Sequence, residues 1–170
     1  RGKIVFPPDL ETFALARPLI QKWESFSPKP YLCPAGKWTI GFGSTRYSNG
    51  TKVTENDKPI DQSFAGILLV GSMRHVREDL EPCVTRVPTI HQAAALIVLA
   101  YNIGVGAHDG IKGDLADSTL LAKFNAGDIA GCAEHFGDWV YIHKDGHPVK
   151  LDGLVNRRAE EKALFLTADD

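Results

Sequence analysis

Trp23-Glu24-Ser25-Phe26 and, beyond a proline-rich turn, Gly36-Lys37-Trp38-Thr39-Ile40-Gly41-Phe42-Gly43 are the stretches on which the reading of this chain turns. Leu19, Ile20 and Trp23 share one face of a predicted helix over 19–26, with Pro18 in its first turn, where a missing N–H costs nothing. Glu24 then falls near the helix end. Ser27-Pro28-Lys29-Pro30 stops the helix, because neither proline donates to the ladder. Trp38 to Phe42 alternates large and small side chains and reads as a strand, in which Gly41 and Gly43 let a bulky ligand approach the backbone. Cys33 lies between the two stretches. The acid of Glu24, the thiol of Cys33 and the hydroxyl of Thr39 are therefore expected to meet in one cleft, an arrangement suited to hydrolysis.

Working outward, Asp9-Leu-Glu-Thr-Phe-Ala-Leu-Ala predicts a short capped helix ahead of the one that carries Glu24. Asn49-Gly50, between Arg46-Tyr47 and Thr51-Lys52-Val53, is a hairpin signal because both residues tolerate positive φ, so a small antiparallel sheet is expected. From Asp61, a candidate N-cap, Phe64, Ile67, Leu68, Met73, Val76 and Leu80 recur at helical spacing up to Pro82. This predicts one long helix, weakened by Gly66 and Gly71 at ~1 kcal/mol each. Thr89-Ile-His-Gln has capping-box form and opens the apolar stretch from Ala93 to Ile103, closed by Gly104, which predicts a helix buried on all sides. Further helices are expected over 118–126, 129–136 and 154–166. The fold class is α+β: an N-terminal lobe over 1–60 holding the first helices, the small sheet and the reactive groups, a connecting helix over 61–82, and a helical lobe over 83–170.

Composition narrows the function classes. The chain has 170 residues, 44% hydrophobic and 24% charged, which is ordinary globular usage, and its longest apolar run, Ala93 to Tyr101, falls far short of the ~20 residues that span a bilayer. No stable membrane insertion is expected. Arg1 in place of Met leaves room for a signal or anchor segment ahead of it. The net charge is -2, divided as nine Lys and Arg against five Asp and Glu over 1–60 and ten against sixteen over 61–170. There is no Lys/Arg stripe with interleaved aromatics, so nucleic acid is not an expected partner. Cys33, Cys83 and Cys132 are odd in number and lack Cys-x-x-Cys spacing, which argues against a zinc ribbon or a fully paired disulfide scaffold. His135, His143 and His147 form no i, i+4 pair, so neither metal nor cofactor is expected.

Glu24, Cys33 and Thr39-Ile40-Gly41-Phe42-Gly43 follow the pattern Glu, eight residues, Asp or Cys, five residues, Thr. Downstream stand Ala100-Tyr101-Asn102-Ile103-Gly104, Ser118-Thr119-Leu120-Leu121 with Phe124-Asn125-Ala126-Gly127, Phe136 with Trp139, and Gly153-Leu154-Val155-Asn156-Arg157-Arg158-Ala159-Glu160. In these blocks, over roughly residues 18–166, the chain resembles the phage-type lysozymes, glycoside hydrolase family 24, the endolysins of T-even and lambdoid phages. The resemblance implies a muramidase that cuts the β-1,4 bond from N-acetylmuramic acid to N-acetylglucosamine in peptidoglycan and so lyses the host. It implies a protein made in the host cytoplasm that acts as a monomer on glycan strands in the periplasm. Glu24 is then the proton donor, Thr39 positions the attacking water, and Cys33 stands where many relatives have Asp.

Glycoside cleavage needs a protonated acid beside the leaving oxygen and a second group that activates water or attacks the anomeric carbon. A thiol in that second place leaves three routes open: base or nucleophile, filler beside Thr39 and water, or a redox switch through Cys83 or Cys132. It also keeps a lytic transglycosylase in play, alongside a non-catalytic wall-binding domain. The family pattern places Arg157 near Glu24 and pairs Arg158 with Glu161 or solvent, since consecutive helical residues point ~100° apart. A close Arg favours the carboxylate, which opposes proton donation unless burial against Trp23 outweighs it. Asn102, after the buried run, is expected to bond a sugar N-acetyl group, and Phe42 to line the site.

Overall fold

The computed structural model describes residues 4–110 and 113–170. Its centre is the most apolar stretch of the chain. The helix Ile90–Ile103, α3 in chain order, buries every residue from Ala93 to Ala100. Thr89 caps it by the expected reciprocal box with Gln92, and Asp169, near the chain's end, accepts from the Ile90 and His91 N–H groups as well. Around it lie α1 (Asp9–Glu24), α2 (Gln62–Leu80), α4 (Thr119–Asn125), α5 (Ile129–Glu134) and α6 (Asp152–Leu166). Phe13, Ala16 and Ile20 of α1, Leu69, Met73 and Leu80 of α2, and Phe165 of α6 complete one continuous core with α3. Each such large side chain removed from water is worth about 1.5–3 kcal/mol.

A second, smaller core lies under the sheet: Ile40, Val53 and Leu68, flanked by Trp38, Tyr47 and Ile60. Leu68 and Leu69 are adjacent on α2 yet enter different cores, so α2 ties the two parts together as the spacing predicts. Asp61 caps it, accepting from the Phe64 N–H at 2.8 Å.

Strand β1 (Ser27–Leu32) runs antiparallel to β2 (Trp38–Gly41), pairing Ser27 with Gly41, Tyr31 with Thr39 and Leu32 with Trp38. The proline-rich segment thus does more than stop the helix. A two-stranded sheet is all edge, and the register shifts between Ser27 and Tyr31, where Pro28 and Pro30 sit without breaking a ladder.

Three expectations are corrected. The two helices predicted on either side of Pro18 are one, because Thr12, Phe13, Ala16 and Ile20 bury a common face across it. That face docks on α3, so α1 belongs to the helical body and not to a lobe over 1–60. At Asn49-Gly50 the chain turns as expected, Tyr47 N–H donating to the Thr51 carbonyl at 2.9 Å, but only the single bridge Arg46–Lys52 flanks it. A second hairpin, β3 (Tyr141–Lys144) with β4 (His147–Lys150), is unforeseen.

Candidate active site

Glu24 is the last residue of α1, and Ser25 behind it takes φ 58°, ψ 162°, which turns the chain sharply into β1. Two contacts anchor that end to α6: the Trp23 indole donates to Glu160 at 3.0 Å, and Lys22 pairs with the same carboxylate. Arg157 Nη1 then donates to Glu24 Oε1 at 3.0 Å. The Arg157 side chain is 6% exposed and that of Glu24 21%, so a partly exposed acid has a buried guanidinium behind it. Its other oxygen, Oε2, lies 3.3 Å from where a Cβ on Gly43 would stand, and Gly43 has φ 87°. Only glycine meets both conditions.

Cys33 and Thr39 form the opposite group. Cys33 opens the turn between β1 and β2, closed by Gly36 N–H to Cys33 carbonyl at 2.8 Å and Cys33 N–H to Lys37 carbonyl at 3.0 Å. The Lys37 backbone N–H is the largest influence on the sulfur and holds its pKa below the ordinary thiol value; burial, the next in size, opposes it, and the Thr39 hydroxyl, the Ala35 N–H and the Lys37 charge then add to the lowering. Thr39 is 2% exposed, and its hydroxyl also reaches the Lys37 carbonyl at 3.0 Å. All three thiols are free; Cys83 and Cys132 are buried in the helical core, away from solvent.

Tyr31 joins the two groups, and sequence reasoning missed it. It pairs across the sheet with Thr39 and lies two residues before Cys33 on the same strand edge. Burial raises the pKa of its phenol, and the negative charges of Glu24 and Cys33 raise it further, so the ring stands within electrostatic reach of both. Tyr101, also missed, donates to the Phe42 carbonyl at 2.6 Å; burial, and then the charge of Glu24, raise its pKa.

Two expected ligand-facing residues are placed otherwise. The Phe42 ring is 7% exposed and packs on Phe26 at 5.6 Å, so it is its carbonyl that faces Tyr101. Asn102 is exposed, but its Oδ1 accepts from Arg158 Nη2 at 2.9 Å. Arg157 and Arg158 diverge as helical geometry requires: one to Glu24, the other to Glu161 at 2.7 Å. From Gly43 and Tyr101 a groove of about 860 Å³ runs along α2, lined by Arg46, Arg74, His75 and Asp79, within the size range of ligand sites. Among the described residues no cluster of His, Cys, Asp or Glu could hold a metal ion.

A partly exposed acid beside Gly43, at one end of the groove, with a thiol and an alcohol bonded to each other on the adjoining sheet, offers the acid and the second group that glycoside cleavage needs. Comparison with known proteins agrees. The Phage lysozyme family matches residues 21–161. An endolysin of Acyrthosiphon pisum secondary endosymbiont phage 1 is 35% identical over 150 residues, covering 88% of this chain and 94% of that protein. A SAR-endolysin of Escherichia phage Mu is 33% identical over 149 residues, covering 84% of this chain and 73% of that one. Among solved structures, the muramidase domain of SpmX from Asticaccaulis excentricus superimposes with a TM-score of 0.76 at 27% identity, covering 91% of this chain and 96% of the domain. The chain belongs to the phage lysozyme family. It is a glycosidase that acts on peptidoglycan.

Proposed function

We propose that this enzyme cuts the β-1,4 linkage from N-acetylmuramic acid to N-acetylglucosamine by acid-assisted hydrolysis, with Glu24 giving its proton to the leaving oxygen. Thr39 and Cys33 hold the attacking water, Cys33 taking the place of the carboxylate that serves as base in many relatives. The depressed thiol pKa and the Thr39 hydroxyl at the sulfur support that role. Gly43 and Tyr101, which line the groove, meet the sugars, and Arg157 sets the acid. The observation that supports this reading is that β2, which holds Thr39 opposite Tyr31, leads directly to Gly43, where a Cβ would stand 3.3 Å from Glu24 Oε2.

We infer that it acts as a monomer. The likeness to a protein named SAR-endolysin supports synthesis in the host cytoplasm and action in the periplasm. Among the described residues no helix is long and apolar enough to cross a membrane. Mass spectrometry of fragments from purified peptidoglycan tests the reaction. Reducing muramic-acid ends are expected; 1,6-anhydro ends would make the protein a lytic transglycosylase, and no release at all would make it a wall-binding domain.

A further inference from the structure

Behind Glu24 lies a buried charge cluster that proton donation and water attack do not use. Glu161 on α6 is fully enclosed, 0% exposed, between two guanidinium groups: Arg157 Nε at 3.3 Å and Arg158 Nη2 and Nε, each at 2.7 Å. Arg158 is itself 2% exposed and is pinned further by Asn102 Oδ1 on α3 and by the Trp139 carbonyl at 3.4 Å. Burial pushes the Glu161 carboxyl up and the Arg158 guanidinium down, each against the attraction of the other. An apolar trio of similar volume would fill such a space at least as stably, so packing alone gives no reason for the charges.

We propose that Glu161 is a positioning residue of the reaction: it cancels one of the two guanidinium charges behind Glu24 and turns Arg157 so that the acid keeps its proton. This rests on Glu24 being the proton donor. Arg157 is shared between two carboxylates, Nε donating to Glu161 and Nη1 to Glu24, so Glu24 meets a single donor of a guanidinium already held from the other side. Oε2 is left beside Gly43, on the side of the groove. Arg157 Nη2 is buried with no hydrogen-bond partner among the described residues, as expected of a guanidinium oriented from behind and not by the acid it touches.

The charges near Glu24 can be counted element by element. From α6 come Arg157 and Arg158 at +1 each and Glu161 at -1; α3 offers only the neutral Tyr101, and the sheet Tyr31 and Cys33. Lys22 and Glu160 pair with each other at the surface, as do Lys162 and Glu134 and, on the neighbouring turn, His135 and Asp138. The net charge of Arg157, Arg158 and Glu161 is +1. Glu161→Gln makes it +2, Arg158→Gln makes it 0, and the double variant restores +1.

Activity that needs a protonated acid is lost as pH rises, so the basic limb of the kcat/KM profile reports this field. Glu161→Gln should move that limb down by about one pH unit, Arg158→Gln should move it up by about one, and the double variant should return it to the wild-type position. Carbon NMR titration of the Glu24 carboxyl should move the same way in each protein without any need for turnover. Limbs and titrations that coincide in all four proteins would overturn the proposal, as would a fall in rate with no displacement of the limb. If Glu161→Gln does not fold, Arg158→Gln and the double variant still carry the opposed and restored predictions. Should Glu24→Gln stay active while the NMR shifts appear, the assignment of the acid fails and the electrostatic role stands. Shifts absent with Glu24→Gln inactive leave the acid in place and remove the role of Glu161.

Discussion

Cys33 is the residue whose chemistry most needs the structure. A free thiol has a pKa near 8.5, so only ~3% is thiolate at pH 7, too little to make an obvious replacement for Asp. The turn that contains it changes this: the Lys37 and Ala35 N–H groups and the Thr39 hydroxyl all point to the sulfur and favour its charged form. Cys33 should therefore be alkylated by iodoacetamide with a midpoint below the ~8.5 of a free thiol, while buried Cys132, whose pKa is pushed up to about 12, stays unlabelled in the folded protein. Loss of a general base typically costs 10²–10⁴-fold, so Cys33→Ala should fall by about 10²-fold or more and Cys33→Asp should retain turnover. A fully active Cys33→Ala would make the thiol a spectator. The spacing Glu24, Cys33, Thr39 was legible because it is linear in the chain. Tyr31 was not, because strand register sets it opposite Thr39, and Glu161 was read only as a partner of Arg158, although the i, i+4 spacing within α6 also gives it Arg157.

At the scale of elements, the end of α1 carries the tension. Ser25 has φ 58° and ψ 162°, a region nearly reserved for glycine and costing of order 1–3 kcal/mol for other residues. Its position directly after Glu24 makes the turn the device that aims the acid. Ser25→Gly removes the strain but adds about 0.5–1 kcal/mol of unfolded-chain entropy. The strain term wins. The variant should gain about 1 kcal/mol and melt roughly 2–4 °C higher, with activity kept; a lower melting temperature would show that the Ser25 side chain contributes more than its backbone costs.

The same element shows where sequence rules run out. Pro18 reads as a helix start, yet tertiary packing of one shared face on α3 overrides the ~3 kcal/mol penalty of an interior proline. Capping boxes and the long apolar period of α3 were readable, being local chemistry. The β3–β4 hairpin was not read, although Asp145-Gly146 at its tip, with φ 52° and 78°, is as strong a turn signal as Asn49-Gly50. Its strands are exposed on both faces and lack the alternation that marks a buried one.

For the molecule as a whole, two cores joined through α2 set the stability, and ionisable groups set its pH range. Asp57 is held below the ordinary carboxylate range by Thr54 and then Tyr47, Asp128 by Lys123 and the Gly131 N–H, and Asp169 by His91 and the Ile90 N–H. A depressed folded pKa means stability that is present above the unfolded value of ~3.9 and lost as pH falls through the folded one. Tyr47 and Cys132 are both pushed up to about 12, the first by burial and Asp57, the second by burial and Asp128. Their neutral forms are favoured by folding, so that stability is complete below their ordinary values of ~10 and ~8.5 and is lost as pH rises towards 12. Calorimetry should find a plateau in melting temperature between about pH 5 and 8 with a fall on each side. A melting temperature that stays level down to pH 2 would refute the acid limb.

The central claim is that the acid of Glu24 and the thiol and alcohol of Cys33 and Thr39 work on a single glycosidic bond. Glu24→Gln tests it most directly, measured by clearing of permeabilised Gram-negative cells together with sedimentation on purified peptidoglycan. The amide keeps the shape and the bond from Arg157 but has no proton to give. Clearing should fall by about 10²–10⁴-fold while the variant still folds and still sediments with the wall. A Glu24→Gln protein that clears cells as fast as the wild type would contradict the account.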